Sequence, residues 1–246
     1  MDKEEVVTTA LEIDQVSHSF GRIEALKDVT LTVPRGGFTA LLGVNGAGKT
    51  TLFSLITRLY NNSSGSIRVA GYDLRRQPAQ ALARLGVVFQ SRALDADLTV
   101  RQNLAYHASL HGISRRDSAA RIEDVLAQVG LSEKSGDRVS ALSGGQQRRA
   151  EIARALIHSP DILLLDEATV GLDVKSRAEV LDLTRRLIAE NGVSALWATH
   201  IMDEIQPADD LVILHQGQVL RQGRASEIAS GQGLTQAFLD LTGVAV

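Results

Sequence analysis

A glycine-rich run of eight residues is the clearest sign of chemistry in this sequence, and it has the pattern of a loop that binds phosphate. The glycine-rich loop comprises Gly43, Val44, Asn45, Gly46, Ala47, Gly48, Lys49 and Thr50, and Thr51 extends it. Its glycines let the backbone curl so that successive N–H groups face a polyphosphate at the positive end of a helix dipole. In this pattern the Lys49 ammonium reaches the β and γ phosphates, and the Thr50 hydroxyl ligates Mg²⁺. A simple glycine turn before a core helix is the alternative.

Two acidic residues at the end of a short apolar segment form the next candidate site. Asp166 and Glu167 directly follow Ile162–Leu165, which has the length and apolar character of a buried strand. Open α/β sheets bind their ligands at the carboxyl ends of such strands. Asp166 is therefore predicted to hold Mg²⁺, and Glu167 to polarise a water for in-line attack on a γ phosphate. Alone, such an acidic pair is often only a solvated turn, but together with Lys49 it indicates phosphoryl transfer.

The sequence also offers a second site for an anion, although one triphosphate needs only one. Its residues are Leu142, Ser143, Gly144, Gly145 and Gln146, and they precede a predicted helical run through His158. A hydroxyl and free backbone N–H groups at a helix N-terminus can bind an anion. A serine N-cap with a glycine turn would explain the same residues without any ligand. The presence of two candidate anion sites in one chain is therefore the informative feature.

The apolar pattern indicates which elements position these residues. Alternating apolar residues within 11–33, and again at Ile67 and Val69, predict antiparallel strands with one buried face. The continuous run Phe38–Leu42 predicts a buried strand that ends at the glycine-rich loop. Beyond that loop, apolar residues at helical spacing continue to Tyr60 and predict a helix of that length.

Residues 90–159 have an almost entirely helical pattern, and Thr99 with Gln102 predicts a capping box at the start of the first helix. After Pro160, strand and helix patterns alternate, which implies a parallel sheet. One or two short helices are expected from Ser226 onward.

These elements predict one α/β domain with a mainly parallel sheet, an N-terminal antiparallel β subdomain and an inserted helical subdomain. Residues 1–10 are expected to form a flexible N-terminal tail, and 11–246 a single domain. Within that domain, 11–89 and 160–246 are assigned to the α/β core with its antiparallel subdomain. The helical subdomain is assigned to 90–159.

Bulk composition excludes several classes of function. With 246 residues, 44% of them apolar and 22% charged, the chain has the make-up of an ordinary globular protein. A formal net charge of −3 gives no field that would attract a nucleic acid, so no such partner is expected. The sequence has no cysteine, which excludes disulfides and fits a reducing cytosol. No apolar stretch approaches the roughly 20 residues of a membrane span, and the acidic first residues do not resemble a secretory signal.

Taken together, these motifs resemble the ATPase subunit of ATP-binding-cassette (ABC) transporters. Leu142–Gln146, called the signature segment below, matches the five-residue signature of that family, and the resemblance extends from about Leu11 to Leu220. It implies a P-loop NTPase fold of the RecA-like type, with a Walker A loop, and hydrolysis of ATP with Mg²⁺. Because Glu167 and His200 are both retained, it also implies a site competent for hydrolysis.

The resemblance further assigns roles to single residues. Phe20 corresponds to the aromatic residue that stacks on adenine, although an aromatic at a strand end is usually a core residue. Gln90 corresponds to the glutamine that senses Mg²⁺, so the implied magnesium set is Thr50, Gln90 and Asp166. His200 corresponds to the switch histidine that contacts the γ phosphate, which makes Glu167, His200 and Gln90 the implied catalytic residues. The loop that crosses the dimer seam in the family corresponds to Gly171, Leu172 and Asp173.

In this family two subunits face each other head to tail, so that Ser143 and Gly145 of one cover the ATP held by Lys49 of the other. The resemblance therefore implies an ATP-dependent homodimer, or a pair with a like subunit, and a separate transmembrane permease subunit. It also implies a cytoplasmic location at the inner face of the cell membrane, with membrane contact only through the partner. A soluble ABC-type ATPase that acts as a non-transport switch is the alternative.

Two finer resemblances concern the cargo. Thr169–Asp173 and the short C-terminal tail resemble the exporter-type branch that serves small multidrug and lipid-type cargo. The segments Phe53–Tyr60, Val174–Ala178 and Leu196–His200 resemble subunits associated with bacterial quinoprotein (PQQ-dependent) alcohol oxidation systems. Neither resemblance identifies the transported substrate.

A possible metal site at two histidines is weaker. His107 and His111 lie four residues apart on a predicted helix and could therefore share a metal. No acidic or cysteine ligand is fixed nearby in the sequence, and such pairs need further ligands. The sequence alone therefore does not favour this site.

Overall fold

Two β-sheets form the framework of the chain within residues 8–243, the part that this computed structural model describes. In chain order the strands are β1 (Thr9–Phe20), β2 (Ile23–Pro34), β3 (Phe38–Leu42), β4 (Ser64–Val69), β5 (Tyr72–Asp73), β6 (Leu85–Val88), β7 (Ile162–Asp166), β8 (Ser194–Thr199), β9 (Asp210–His215) and β10 (Gln218–Arg224). The helices are α1 (Lys49–Ile56), α2 (Pro78–Leu82), α3 (Val100–Leu110), α4 (Arg115–Gln128), α5 (Gly144–Leu156), α6 (Val174–Asn191), α7 (Ala225–Ala229) and α8 (Leu234–Thr242).

The smaller sheet is antiparallel and has the strand order β2-β1-β4-β5. Apolar residues alternate along β1 and β2 with one face buried, as the sequence pattern predicts. The predicted tail at residues 1–10 is too long, because Thr9 and Ala10 belong to β1. The Ala10 side chain is fully buried, and its carbonyl accepts a hydrogen bond from Ala70 N at 2.8 Å. The rest of that prediction, residues 1–7, lies outside the described residues.

The larger sheet has the order β10-β9-β3-β8-β7-β6, and its strands are parallel except for β10, which pairs antiparallel with β9. All five residues of β3 and of β7 are buried, because helices or the smaller sheet cover both faces. The sequence pattern gives no sign of β10. Its residues are mostly polar and at least partly exposed, since it lies at the edge of the sheet.

Alternate residues of the central strands supply two separate cores. Leu41, Leu164 and Leu196 pack with α1 and the antiparallel strands on one face of the sheet. Leu42 and Trp197 pack on the other face with residues of α5 and α6. Each such fully buried side chain contributes roughly 1.5–3 kcal/mol to folding. The two cores hold the carboxyl ends of β3, β7 and β8 in fixed relative positions.

The inserted region contains α3, α4 and α5, joined by loops and short 3₁₀ turns. The predicted capping box at the start of α3 is confirmed, since Thr99 and Gln102 each bond the other's backbone N–H. Helix α1 is shorter than predicted. It ends at Ile56, the following Arg58 has a φ of 58°, and the apolar side chain at Leu59 is exposed. Among the helices of residues 8–243, none combines the length and apolar character that a bilayer crossing needs.

Candidate functional site

The glycine-rich loop joins β3 to α1 and leaves the N-terminus of that helix free of side-chain caps. Gly48 occupies the N-cap position with a φ of 111°, a backbone conformation that is unfavourable for residues with a Cβ atom. A Cβ there would also lie only 2.8 Å from Leu26 Cδ2 and 3.1 Å from the Ala25 carbonyl oxygen. Glycine at this position therefore allows the loop to curl with the first N–H groups of α1 available to an anion.

The loop opens onto a cleft of about 790 Å³, which is within the usual size range of ligand sites. The cleft brings together residues from six separate segments of the chain. Residues 45–51 form one wall, and Gln90, Glu167 and His200 contribute side chains from the ends of other strands. Sequence reasoning missed a further part of the lining, which comes from the start of β2 and the β9–β10 turn and includes Ile23, Ala25, Gln216 and Gly217.

The Lys49 ammonium is buried at the back of this cleft. It donates hydrogen bonds to the carbonyl oxygens of Gly43 at 2.6 Å and Val44 at 3.3 Å. The same ammonium lies 3.4 Å from Glu167 Oε1, so the cation and the carboxylate form a nearly buried ion pair. The positive charge is thus fixed next to the free N–H groups of the loop.

Glu167 contacts all three other polar groups at the back of the cleft. Gln90 Nε2 donates to its Oε2 at 3.1 Å, and His200 Nδ1 lies 3.2 Å from its Oε1. The backbone at Glu167 has a φ of 48°, an uncommon conformation for a non-glycine residue that often accompanies functional sites. The structure therefore brings Gln90, Glu167, His200 and Lys49 together.

Asp166 has the properties expected of a cation ligand. Its side chain is buried, and Oδ1 makes no hydrogen bond within residues 8–243. Burial raises the pKa of Asp166 to about 6, with a further increase from the charge of Glu167 and opposing effects of Lys49 and Arg148. A buried carboxylate oxygen without a partner is destabilising unless a proton or a cation compensates it. The donor chemistry of Asp166, with the hydroxyl of Thr50 and the amide of Gln90, fits Mg²⁺.

The signature segment begins α5 and is not part of the cleft lining. Ser143 is the N-cap of α5, and it forms a capping box with Gln146: Gln146 N donates to Ser143 Oγ at 3.3 Å, and Ser143 N donates to Gln146 Oε1 at 2.9 Å. A Cβ at Gly145 would lie 2.8 Å from Ser176 Oγ, so glycine permits close packing against the first turn of α6. Within the segment Ser143 is exposed, whereas Leu142 and Gly145 are buried.

The predicted seam loop directly follows Val170, which lines the cleft. Gly171 has a φ of 79°, and Asp173 is the N-cap of α6, where its Oδ1 accepts from Ser176 N at 3.0 Å. Hydrogen bonds from the backbone and side chain of Ser176 lower the pKa of Asp173. The Leu172 side chain would lie 3.3 Å from a Cβ at Gly144. The seam loop therefore packs directly against the signature segment.

Phe20 lies at the end of β1 and is not among the residues that line the cleft. Its ring is 44% exposed and makes edge contacts with His18 and Tyr60, at centroid distances of 4.6 and 5.4 Å. The exposed fraction leaves part of the ring available, so adenine stacking stays a prediction.

One face of α5 carries charged residues that sequence reasoning missed. Arg148 donates to the carbonyl oxygens of Phe89 at 2.8 Å and Gln90 at 3.3 Å, and burial lowers its pKa. Arg154 donates to the Val87 carbonyl oxygen at 2.8 Å. Arg148 and Arg154 of α5 thus hold the backbone from Val87 to Gln90. The signal in the sequence is the spacing of Arg148, Glu151 and Arg154 by three residues on one helix face.

Glu204 is a second missed residue. It is buried, and its two carboxylate oxygens accept hydrogen bonds from Thr169 Oγ1, from Trp197 Nε1 at 2.9 Å and from Thr199 Oγ1 at 2.6 Å. These bonds tie the segment after Glu167 to the strand before His200. No local pattern marks Glu204, because its partners come from distant segments.

Comparisons with known proteins agree with this site. A family profile described as ABC transporter matches residues 26–170. The chain is 34% identical over 224 residues to the linearmycin resistance ATP-binding protein LnrL of Bacillus subtilis, which covers 91% of this chain and 72% of the relative. It is 36% identical over 222 residues to the methionine import ATP-binding protein MetN 3 of Oceanobacillus iheyensis, covering 87% and 65%. A solved structure, cbiO1 from Clostridium perfringens, described as part of the ABC transporter complex cbiONQ, matches with a TM-score of 0.84 and 27% identity over 94% of this chain and 95% of that one.

The region matched by the family profile includes the glycine-rich loop, the signature segment and the Asp166–Glu167 pair. The expected P-loop NTPase fold, with a mainly parallel sheet and an antiparallel β subdomain, is confirmed by the solved structure and by the strand order. Relatives named for drug resistance and for import match at similar identity, so the exporter branch and the quinoprotein association are not confirmed. The chain belongs to the ABC transporter family, as an ATP-binding subunit whose hydrolysis of ATP is coupled to transport.

Proposed function

We propose that two copies of this chain, or this chain and a like subunit, enclose ATP head to tail and thereby drive a separate transmembrane subunit. The observation that carries the proposal is the position of the signature segment. It forms the N-terminus of a second helix, where an anion can bind. It does not line the cleft that contains Lys49. An anion-binding end that cannot serve its own cleft is explained if it covers the ATP of another copy.

Within each enclosure we assign the chemistry as follows. Lys49 and the N–H groups of the glycine-rich loop bind the β and γ phosphates. Thr50, Gln90 and Asp166 would hold Mg²⁺, which would supply positive charge to neutralise the phosphates. Glu167 accepts a proton from the attacking water, and His200, which touches Glu167, donates a hydrogen bond to the γ phosphate.

ATP binding must displace part of the present arrangement at the back of the cleft. Lys49 pairs with Glu167 at 3.4 Å, and a γ phosphate would compete for that ammonium. Glu167 would then be free to orient a water, while Gln90 reports occupancy to α5 through the Arg148 bonds to its backbone. Loss of the γ phosphate on hydrolysis removes the bridge between copies, so that the pair opens and closes with each cycle.

The remaining assignments concern the cell. The chain acts in the cytoplasm at the inner face of the cell membrane and contacts the membrane only through the transmembrane subunit. Export is the proposed direction, because Thr169–Asp173 resembles the exporter-type branch. An association with quinoprotein alcohol oxidation is proposed because three segments, Phe53–Tyr60, Val174–Ala178 and Leu196–His200, resemble subunits associated with such systems. Affinity capture of the intact complex, with identification of the membrane subunit, tests both: a dedicated importer permease would contradict the proposed direction, and a permease encoded apart from any quinoprotein alcohol oxidation system would contradict that association.

The substitution Glu167→Gln tests the proposed reaction. It preserves the shape of the side chain but removes the base, so we expect the steady-state rate of phosphate release to fall by about 10²–10⁴-fold. The same variant should form a stable dimer with ATP, measured by light scattering, because turnover no longer removes the γ phosphate. Glu190→Gln, on the exposed face of α6, is the control and should behave as wild type. A normal rate in Glu167→Gln would refute the assigned base.

A further inference from the structure

Three of the six histidines of the chain meet at one place outside the nucleotide cleft. His107 and His111 lie on successive turns at the end of α3, and His158 follows the end of α5. Their ligating nitrogen atoms all lie within 4.8 Å of one another. These three residues are called the histidine cluster below. His158 is a third potential ligand, and the sequence spacing of His107 and His111 gave no indication of it.

The rings of the histidine cluster are in direct contact. The His111 and His158 rings stack at a centroid distance of 3.9 Å, and the His107 and His111 rings lie 4.8 Å apart. Two histidines at positions i and i+4 of a helix present their rings on one face, which is a common arrangement for zinc ligands. Since metal–nitrogen bonds of about 2.0–2.1 Å hold tetrahedral ligands only roughly 3.3 Å apart, small ring rotations would close the present gap.

His158 already has the orientation of a metal ligand. Its Nε2 lies 2.8 Å from the Leu85 carbonyl oxygen, an acceptor, so Nε2 carries the proton and Nδ1 keeps its lone pair. Within residues 8–243, Nδ1 is buried and has no hydrogen-bond partner. Histidines that bind metals commonly donate their other N–H to a backbone carbonyl in this way. A buried lone pair without a partner beside two further imidazoles is the observation that points to a ligand.

The surroundings keep the imidazoles neutral, as metal ligands must be. Burial lowers the pKa of His107 and of His158 to about 4, and it also lowers that of His111. The nearby cations are Arg154 of α5 and Arg121 of α4. Arg154 is compensated by Glu151, whose Oε2 accepts its Nε–H at 3.1 Å. The cluster has no carboxylate ligand, which disfavours Mg²⁺ and Ca²⁺ and favours a metal that prefers imidazole.

We propose that His107, His111 and His158 form a binding site for a divalent transition metal of the zinc type, with a fourth position open to solvent. The exposed side chain of His111 provides the path of entry. A bound metal would tie the end of α3 to the end of α5. Through the bond from His158 to Leu85 it would also join both helices to β6, the strand that leads to Gln90.

The test uses the full-length chain without an affinity tag, in excess Mg²⁺ so that the cleft carboxylates are occupied. Zn²⁺ binding is measured by calorimetry, and Co²⁺ is added as a probe whose absorption spectrum reports tetrahedral nitrogen ligation. His111→Asn is the main variant because His111 is exposed and its replacement leaves the core intact. Tyr106→Asn, another exposed position on the same helix, is the matched control.

We expect one Zn²⁺ per chain in wild type and in Tyr106→Asn, with a melting temperature that rises as Zn²⁺ is added. In His111→Asn, binding should weaken by at least about 100-fold, because loss of a ligand exceeds the 10–100-fold cost of losing an outer partner. Absence of Zn²⁺ binding in wild type would overturn the proposal. Binding that persists in His111→Asn but is lost in Asp166→Asn would also overturn it, since the metal would then belong to the nucleotide cleft.

Discussion

The two helix N-termini that can bind anions are built differently. At α1 the N-cap is Gly48 in a left-handed conformation, without a side-chain cap, and Lys49 adds a cation. At α5 the N-cap is Ser143, whose hydroxyl oxygen accepts a hydrogen bond from Gln146 N and whose N–H donates to Gln146 Oε1. The first site is incomplete without an anion, whereas the second is a stable helix start by itself.

This difference indicates that the N-termini of α1 and α5 have different roles. The glycine-rich loop lines the same cleft as Glu167 and His200, so we assign ATP binding and hydrolysis to that end. The signature segment contains none of the residues assigned to catalysis, and it packs against the seam loop through Gly144 and against the first turn of α6 through Gly145. It can therefore add hydrogen bonds to a phosphate that another copy holds, and release that phosphate at little cost to its own fold.

The largest expected effect comes from Lys49→Ala, which removes the cation from the first site. ATP binding, measured with a fluorescent analogue, and phosphate release should both be lost, because the Lys49 ammonium is the cation that this loop pattern places on the β and γ phosphates. The control is Lys175→Ala, since the Lys175 side chain is 85% exposed on α6. If the Lys49 variant bound ATP as wild type does, the assignment of the first site would be wrong.

A smaller effect is expected from Ser143→Ala at the second site. ATP binding by the single chain should be unchanged, but the rate of phosphate release should fall about 10–100-fold, because a hydrogen bond to a charged group is worth roughly 1.5–3 kcal/mol. Loss of the cap should also lower the free energy of unfolding by about 1 kcal/mol.

A second N-cap separates these two effects. Ser114 caps α4 with the same type of bond, in which Asp117 N donates to Ser114 Oγ at 3.1 Å. Ser114→Ala should lose similar stability in urea unfolding but keep the wild-type rate. Equal rate losses in both variants would mean that Ser143 acts only as a cap, and the proposed contact with phosphate would fall.

The smallest effect concerns stability rather than rate, and it arises from the buried carboxyl group of Asp166. The pKa of Asp166 is raised to about 6 in the folded chain, above the 3.8 of an ordinary aspartate. The folded state therefore binds this proton more tightly, and its contribution to stability decreases as pH rises from about 4 to 6. The decrease amounts to about 3 kcal/mol at most.

Urea unfolding of wild type and Asp166→Asn without nucleotide or Mg²⁺ measures this contribution. The difference in unfolding free energy between the two proteins should change across that pH range and level off above it. His107 and His158, whose pKa values are lowered to about 4, act in the same range with the opposite sign, but they are present in both proteins and cancel. Parallel pH profiles would show that the Asp166 carboxylate is not perturbed.

Local patterns were sufficient to predict the local structures that depend on consecutive residues. The glycine-rich loop and the Thr99 capping box each depend on contacts within a few residues, so their spacing in the sequence is visible. The carboxylate pair at Asp166 was predictable because buried parallel strands have continuous apolar runs. These signals also imply the order of elements, since strand and helix patterns alternate after Pro160.

Contacts between distant segments could not be predicted in the same way. Glu204 joins Thr169 to the end of β8, and nothing near Glu204 indicates those partners. His158 meets His107 only because α3 and α5 pack together, so the sequence showed two histidines instead of three. The end of α1 was misjudged at Leu59, where apolar residues continue the helical spacing although the helix has ended.

A mixing experiment tests the central claim that the two ends of the chain act in different copies. A chain with Lys49→Ala keeps its signature segment, and a chain with Ser143→Ala keeps its glycine-rich loop, so a mixed dimer would contain one intact enclosure. The account predicts that an equimolar mixture releases phosphate faster than the mean of the two separate rates. A rate no higher than that mean would contradict it, because each copy would then complete its own site.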